Sequence, residues 1–346
     1  MSPFAGWDMP IQYAGILKEH EHTRNGASLF DTCHMGEFDL WGPGAEADLE
    51  RLMTQSIRSM RPGQCRYGYM LAENGGVLDD LIVFRRGPEH FFVVVNAGTR
   101  ADDAAWIRRS ISDDTVFQDL SEGRGKLDVQ GPRSRPWMEA AFNHPLPDLG
   151  YFRFQETELG DIPCTLSRTG YTGEWGYELY FDAPYANDLW NRLTADGRIR
   201  PAGLGARDTL RLEMGYPLYG HELSADHSPV SATGSMFIDT DKDFHGKPVV
   251  LHELDSAPAQ CLTALRLESR RAARAVDRVL HSGEGVGRVT SGALSPSLDV
   301  AVALAYIDRE LRSFGTTVTV ETRGTALPAT VTDLPFYTQG TARRTG

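Results

Sequence analysis

The fold is best predicted from one stretch of the sequence, Ser167-Arg-Thr-Gly-Tyr-Thr-Gly-Glu-Trp-Gly-Tyr-Glu-Leu-Tyr-Phe181. Its glycines recur at every third position, a spacing that neither a helix nor a central strand favours. Alternation follows, with Tyr177 and Phe181 on the apolar face and Glu178 on the opposite face. The pattern predicts a glycine loop that leads into a strand, with Glu178 facing either solvent or a pocket. Because bare backbone allows close approach, we expect a ligand to lie against this loop.

Composition restricts the possible functions. The chain has 346 residues, which is more than one ordinary core. Its net charge of -12 argues against nucleic acid as a partner, and no apolar run approaches the roughly 18 residues of a membrane span. No signal peptide is visible at the N-terminus, and the four cysteines lack the spacing of a metal site or a disulfide framework. We therefore expect a cytoplasmic protein without a metal site that binds neither nucleic acid nor membrane.

Hydrophobic patterns divide the chain into two regions. In the first, strands and helices mix, and Phe91-Phe-Val-Val-Val95 is an apolar run typical of a buried strand. Thr99 is predicted to cap the helix that follows, with Asp102 as the acid of a capping box. After the polar stretch Asp255-Ser-Ala-Pro258, strands dominate. They predict a small β-barrel or sandwich of about 80 residues.

Asp103 is the first candidate for chemistry. It lies in the first turn of the helix after Phe91–Val95, so the strand would deliver it to the end where ligands often gather. Asp102 already fills the capping role, which leaves Asp103 without a structural one. The alternative is that Asp103 only complements the helix dipole.

Further charged residues suggest ligand binding. Glu178 could accept two N–H bonds from the edge of a heterocycle, and Arg207 could donate a pair of hydrogen bonds to a carboxylate. The alternative for both residues is a salt bridge or an exposed charge. A basic run in this acidic chain is either a solvated linker or an anchor for an anionic ligand tail or an acidic partner. It consists of Arg270, Arg271, Arg274 and Arg278.

Segments along almost the whole chain resemble, in order, those of the glycine-cleavage T-protein family, which are tetrahydrofolate-dependent aminomethyltransferases. The resemblance is carried by Phe4-Ala-Gly-Trp-Asp-Met-Pro10, Leu29-Phe-Asp-Thr-Cys-His-Met-Gly-Glu37, Gly75-Gly-Val-Leu-Asp-Asp80, Val95-Asn-Ala-Gly-Thr-Arg-Ala-Asp-Asp103, Arg168-Thr-Gly-Tyr-Thr-Gly-Glu174, Gly205-Ala-Arg-Asp-Thr-Leu-Arg-Leu-Glu213 and Val289-Thr-Ser-Gly-Ala-Leu-Ser-Pro296. This many segments in register make a specific match.

The resemblance implies an α+β fold with a three-lobed, cloverleaf-like arrangement. Two interleaved lobes would span residues 1–250 and a C-terminal β-barrel residues 259–338. The implied reaction moves a one-carbon unit from an aminomethyl group on a lipoyl carrier protein to N5 of tetrahydrofolate. The resemblance assigns the catalytic aspartate to Asp103, and it assigns contacts with the folate coenzyme to Glu178, Arg207, Asn96 and Tyr171, with Tyr337 as the candidate for a C-terminal tyrosine.

Departures from the family pattern concern the donor. Pro229-Val-Ser-Ala232 replaces a Pro-x-Glu-Ala segment, and Met236 stands where tryptophan is usual. They leave open a stand-alone tetrahydrofolate-dependent demethylase that acts on a small methylated amine, sulfonium or methoxy compound. A non-catalytic folate-binding protein is disfavoured, because Asp243-Phe-His-Gly-Lys247 lacks the cysteine found in such relatives.

Overall fold

The computed structural model describes residues 1–344. Its strands are β1 (Ser2–Phe4), β2 (Trp7–Met9), β3 (Ala27–Asp31), β4 (Gly36–Trp41), β5 (Gln64–Leu71), β6 (Val77–Arg85), β7 (His90–Val95), β8 (Val116–Asp119), β9 (Arg124–Gln130), β10 (Phe154–Leu159), β11 (Ile162–Ser167), β12 (Gly176–Asp182), β13 (Ile199–Pro201), β14 (Gln260–Leu267), β15 (Arg278–His281), β16 (Glu284–Ser295), β17 (Val300–Asp308), β18 (Thr317–Thr322) and β19 (Thr325–Thr332). Its α-helices are α1 (Ile16–Asn25), α2 (Ala45–Leu52), α3 (Arg100–Ser110), α4 (Ser134–Phe142), α5 (Ala186–Thr194), α6 (Leu204–Glu213), α7 (Pro229–Thr233) and α8 (Lys247–Ser256).

Two sheets share the N-terminal region and interrupt each other along the chain. The five-stranded sheet has the order β5-β6-β7-β4-β8, and the six-stranded sheet has the order β10-β11-β12-β9-β3-β13. Strands β3 and β9 are neighbours in the second sheet although the whole first sheet lies between them in sequence. Helices α7 and α8 return to the first sheet, where Val230 and Val250 pack with Tyr69 and Val77. The predicted α+β fold with two interleaved lobes is confirmed.

An aromatic cluster joins the two sheets. Phe84 and Phe92 of the five-stranded sheet both pack edge-to-face on Tyr180 of β12, with ring centroids 5.3 Å apart in each pair. Phe154 of β10 adds a further contact to Phe84 at 5.1 Å. Burying a large apolar side chain of this kind contributes about 1.5–3 kcal/mol. The cluster therefore fixes β12, and with it Glu178, against the first sheet.

The C-terminal strands close into a barrel with the order β14-β17-β16-β15-β18-β19. Strands that follow one another in the chain form antiparallel pairs, since β15 pairs with β16 and β18 with β19. Helix α6 attaches the barrel to the rest of the molecule. Arg211 Nη2 donates to Ser291 Oγ at 2.6 Å, and Ser295 Oγ donates to Glu213 Oε1 at 2.5 Å. The same helix carries Arg207, so barrel and candidate site share one support.

The glycine loop differs from the prediction. A Cβ atom at Gly170 or Gly176 would overlap the amide of Gln130, and one at Gly173 would overlap Met214. Gly173 also has φ +77°, which favours glycine. Side chains of the protein therefore occupy the space that was expected to be open beside these glycines, while a ligand contact elsewhere on the loop stays a prediction.

The start of α3 also differs from the prediction. Thr99 precedes the helix but makes no side-chain capping bond. Its hydroxyl donates instead to the carbonyl oxygen of Asn96 at 3.1 Å. A capping box needs the hydroxyl oxygen to accept a backbone N–H from the first turn. The Thr99 hydroxyl oxygen accepts none, so the predicted capping box with Asp102 does not form.

Candidate functional site

Three aspartates gather where β6, the end of β7 and the first turn of α3 meet. Asn96 connects two of them, because its backbone N–H donates to Asp79 Oδ2 at 2.9 Å. Its side-chain Nδ2 donates to Asp79 Oδ1 at 2.8 Å and to Asp80 Oδ1 at 2.9 Å. We term Asp79, Asp80, Asn96 and Asp103 the acidic cluster. The structure therefore brings the predicted Asp103 and Asn96 together, with Asn96 using its N–H groups to hold the acids.

The acidic cluster does not carry three full negative charges at neutral pH. Burial raises the pKa of Asp103 to about 7. Burial and then the charge of Asp79 raise the pKa of Asp80 to about 7. Burial and then the charge of Asp103 raise the pKa of Asp79 well above its usual range. Carboxyl groups poised near neutrality can exchange protons with a reacting group.

Asp80 and Asp103 differ in their exposure and in their hydrogen bonds. Asp103 is 1% exposed, and within residues 1–344 its Oδ2 has no hydrogen-bond partner. Asp80 is half-buried and accepts a hydrogen bond from the hydroxyl of Tyr67 at 3.0 Å. Burial raises the pKa of Tyr171, and the charge of Asp80 adds to that shift. Asp80 is therefore the more exposed of the two acids, and its charge acts on Tyr171.

The prediction for Asp103 relied on a strand-end argument that does not apply here. Strand β7 is antiparallel to both of its neighbours, β4 and β6, whereas the argument concerns parallel sheets. Asp80 was missed, although the sequence held a signal for it. Two adjacent acids on an otherwise apolar strand must point to opposite faces, so one of them must leave the core.

Glu178 and Arg207 are joined by two residues that sequence reasoning missed. Lys126 Nζ lies 3.0 Å from Glu178 Oε1 and 2.5 Å from Asp128 Oδ1. Arg207 Nη1 lies 3.0 Å from Asp128 Oδ2. We term Glu178, Lys126, Asp128 and Arg207 the charge row. Both predicted residues thus form salt bridges, and both belong to the same connected group.

The charge row follows from the register of the six-stranded sheet. Glu178 on β12 is directly opposite Asp128 on β9, and Lys126 shares its face with Asp128 because side chains alternate along a strand. Burial alone would lower the pKa of Lys126, but Asp128 and Glu178 raise it. Burial alone would raise the pKa of Asp128, but Lys126 and Arg207 lower it. Lys126 and Asp128 are therefore held in their charged forms by the oppositely charged groups of the row.

The two predicted tyrosines lie in different surroundings. The guanidinium of Arg207 is 5.0 Å from the ring centroid of Tyr171, so Tyr171 connects the charge row with Asp80. The guanidinium of Arg24 is 4.1 Å from the ring centroid of Tyr337. The backbone N–H of Tyr337 donates to the carbonyl oxygen of Glu213 at 3.0 Å. Tyr337 thus contacts the junction of α1 and α6.

Other features of the described residues bear on the predicted partners. No grouping of three or more His, Cys, Asp and Glu side chains in residues 1–344 could hold a metal ion. Over the same residues, every helix is too short or too polar to cross a bilayer. A cavity of about 610 Å³ lies between the barrel and residues 220–227 and is lined in part by His227 and Arg278. It contains Arg278 of the basic run but none of the residues predicted to carry catalysis or to contact the coenzyme.

Comparison with known proteins gives matches over nearly the whole chain. Residues 1–242 match a family model described as the GCVT N-terminal domain, and residues 261–338 match the glycine cleavage T-protein C-terminal barrel domain. An aminomethyltransferase of Moorella thermoacetica is 41% identical over 97% of this chain and 93% of its own length. One from Shouchella clausii is 39% identical over 96% of this chain and 93% of its own length.

A solved structure shows the same arrangement of lobes. The crystal structure of glycine cleavage system aminomethyltransferase T from Bartonella henselae is 34% identical to this chain, with a TM-score of 0.92. The match covers 97% of this chain and 93% of the other. At this identity and coverage the likeness extends to both N-terminal lobes and the barrel.

Proposed function

The chain belongs to the glycine cleavage T-protein family, and from this premise we propose that it transfers a one-carbon unit to N5 of tetrahydrofolate. The protein is an enzyme, an aminomethyltransferase of the glycine-cleavage type, and its relatives favour this activity over the demethylase alternative. The donor is the aminomethyl group of a lipoyl carrier protein. The products are methylenetetrahydrofolate, ammonia and the reduced lipoyl thiol.

One observation carries the assignment of the site. The guanidinium of Arg207 lies over the ring of Tyr171, and the charge of Asp80 acts on the same tyrosine. It therefore joins the charge row, which suits the coenzyme, to the acidic cluster, which suits the reacting nitrogens. The four cysteines are unpaired, which supports the cytoplasmic location we propose for this reaction.

The residues present fit tetrahydrofolate by their chemistry. The pterin ring offers an edge of N–H donors to Glu178, and the glutamate tail offers carboxylates to Arg207. Nη1 of Arg207 is paired with Asp128, and the Arg207 side chain is 16% exposed. The rest of its guanidinium can therefore contact the glutamate tail. His34 lies near Arg207 and Lys126, and burial together with these cations lowers its pKa to about 3. Its Nδ1 has no partner in the described part of the chain and can bond a polar ligand atom.

Catalysis would come from positioning and electrostatics. Tetrahydrofolate, when bound, supplies the nucleophilic nitrogen. Asp80 is the more exposed acid of the cluster and would stabilise the positive charge that develops at the donor nitrogen. Asn96 and Tyr67 hold its carboxylate in place. For Asp103, the predicted catalytic residue, we propose an effect through Asp79, whose protonation it influences.

A donor panel tests this function. The purified protein is incubated with tetrahydrofolate and either an aminomethyl-lipoyl carrier protein or free methylated amines, sulfonium and methoxy compounds. We expect methylenetetrahydrofolate with the carrier, and none with Asp80→Asn under the same conditions. Methyltetrahydrofolate formed from a free compound, without any carrier, would contradict the glycine-cleavage assignment.

A further inference from the structure

We propose that Lys126 is a positioning residue for the coenzyme. Its buried ammonium holds Glu178 in the orientation that accepts N–H bonds from the pterin edge. Asp128 links the same ammonium to Arg207. Lys126 therefore positions both Glu178, which would contact the pterin ring, and Arg207, which would contact the glutamate tail. This inference rests on the proposed function of Glu178 in tetrahydrofolate binding.

All hydrogen-bond donors of the Lys126 ammonium are paired within the protein. Its side chain is 1% exposed, and its Nζ donates to Glu178 Oε1, Asp128 Oδ1 and Thr32 Oγ1 at 3.0, 2.5 and 3.2 Å. An ammonium group has three N–H donors, so each of them has an acceptor. Lys126 therefore has no donor left for a ligand and acts through the side chains that it holds.

Glu178 still has capacity for a ligand after these contacts. Its Oε2 accepts from Thr169 Oγ1 at 2.5 Å and from the Tyr180 hydroxyl at 2.9 Å. Its Oε1 accepts from Lys126, and a carboxylate offers about four acceptor positions. Lys126 is the cation in contact with this carboxylate, since the other two donors are neutral hydroxyls. The orientation of Glu178 is thus fixed on three sides while one acceptor position remains.

A charged pair is not needed here for stability. Leu127 and Val129 on the same strand are fully apolar and buried, and well-packed apolar residues often stabilise a fold as much as a buried ion pair does. Two charges at Lys126 and Asp128 must lose their hydration to be buried in this sheet. We infer that Lys126 and Asp128 serve ligand binding, because they contact Glu178 and Arg207.

The groups around Glu178 identify Lys126 as the one that controls its charge. Cys65 from β5 and Tyr180 from β12 stay neutral, because burial and the charge of Glu178 raise the pKa of both well above the usual range. His34 stays neutral because its pKa is lowered to about 3. Asp128 adds a negative charge and Arg207 is already paired with it. Without Lys126, two buried carboxylates would share the single cation of Arg207.

The test is anaerobic calorimetry of tetrahydrofolate binding to Lys126→Met at several pH values. In the variant Glu178 would take up a proton more readily and lose an acceptor, so we expect its Kd to rise about tenfold between about pH 8 and pH 6. The wild-type Kd should change by less than about twofold over this range, because the ammonium keeps Glu178 ionised. A merely structural role for Lys126 would change the melting temperature without producing this pH profile.

Two further variants make the result decisive. Lys18→Met removes an exposed lysine on α1 and should bind like the wild type. The double variant K126M/D128A also removes the carboxylate that competes for Arg207, so its Kd should depend on pH less than that of Lys126→Met. A pH-independent Kd in Lys126→Met, an equal pH profile in the double variant, or failure of both variants to fold would overturn the proposal. Wild-type protein that does not bind tetrahydrofolate would instead refute the proposed function.

Discussion

Within the acidic cluster, Asp80 and Asp103 both have pKa values raised to about 7, but the two side chains are unequally exposed. Asp103 is 1% exposed, while Asp80 is half-buried beside Tyr67. A carboxylate that stabilises developing charge must approach the reacting atoms. On this difference in exposure we propose the direct role for Asp80 and an indirect one for Asp103, the residue predicted from the sequence.

We expect Asp80→Asn to lower kcat by on the order of 10²-fold or more, because the amide keeps the shape but loses the charge. Asp103→Asn should lower kcat by roughly tenfold, because it acts through Asp79. Steady-state kinetics of both variants at neutral pH, with tetrahydrofolate affinity measured in parallel, gives the comparison. A larger loss in Asp103→Asn than in Asp80→Asn would reverse the assignment.

A substitution at Arg207 can test the proposed contact with the glutamate tail by changing the geometry of the donors while keeping the charge. Arg207→Lys keeps the positive charge near Asp128 but loses the planar pair of donors, so tetrahydrofolate should bind about tenfold more weakly. Calorimetry measures this affinity, and Arg200→Lys on the exposed end of β13 serves as the matched control. Equal affinities for the two variants would show that the paired donors of Arg207 are not used.

At the scale of elements, the turn before β6 positions the acidic cluster. The backbone N–H of Val77 donates to the carbonyl oxygens of Ser224 and His227, both at 3.1 Å. A Cβ atom at Gly76 would overlap the carbonyl oxygen of Ala225. The turn and residues 224–227 therefore fit together only with glycine at this position.

Gly76→Ala should destabilise the protein by roughly 1–3 kcal/mol, because the added methyl group must push backbone apart. It should also lower kcat, since Asp79 and Asp80 follow within four residues on β6. Urea unfolding and kinetics check both effects. Gly123→Ala is the control, because nothing lies within 4 Å of the added Cβ there; a Gly76→Ala variant as stable as this control would contradict the close fit.

Local patterns predicted the elements but not the contacts between them. The alternation after Gly176 and the apolar run before Asn96 were enough to predict β12 and β7, because each pattern is set by neighbours in sequence. The charge row could not be predicted, because it depends on β9 and β12 pairing in one register. The side chains that fill the space beside the loop glycines could not be predicted for a related reason. They belong to Gln130 and Met214, which lie far away in sequence.

For the molecule as a whole, a buried ionic group holds the lobes and the barrel together. Glu213 on α6 lies 3.2 Å from His20 Nε2 and 2.8 Å from Arg24 Nη2, both on α1. It also accepts from Ser295 and Ser297 of the barrel region at 2.5 and 2.8 Å. Because Tyr337 packs on Arg24, the same group also positions a proposed coenzyme contact.

The charge of Glu213 makes this attachment dependent on pH. Burial alone would raise the pKa of Glu213, but His20 and Arg24 lower it to about 2, whereas an unfolded glutamate has a pKa of about 4.3. A carboxyl with a depressed folded-state pKa contributes stability that is fully present above the unfolded value. That contribution is lost as the pH falls from about 4.3 towards 2.

Glu213→Gln should therefore lower the free energy of unfolding by roughly 3 kcal/mol at neutral pH, because Arg24 loses a buried partner. Below about pH 4 the difference from the wild type should shrink, since the carboxyl of the unfolded wild-type chain takes up its proton there while the folded one is still ionised. Denaturant unfolding between neutral and acidic pH measures both quantities, and Glu122→Gln on an exposed turn, where the side chain is 91% exposed, is the control. A difference that stays constant as the pH falls would mean that packing around residue 213, rather than its charge, holds the barrel to α1 and α6.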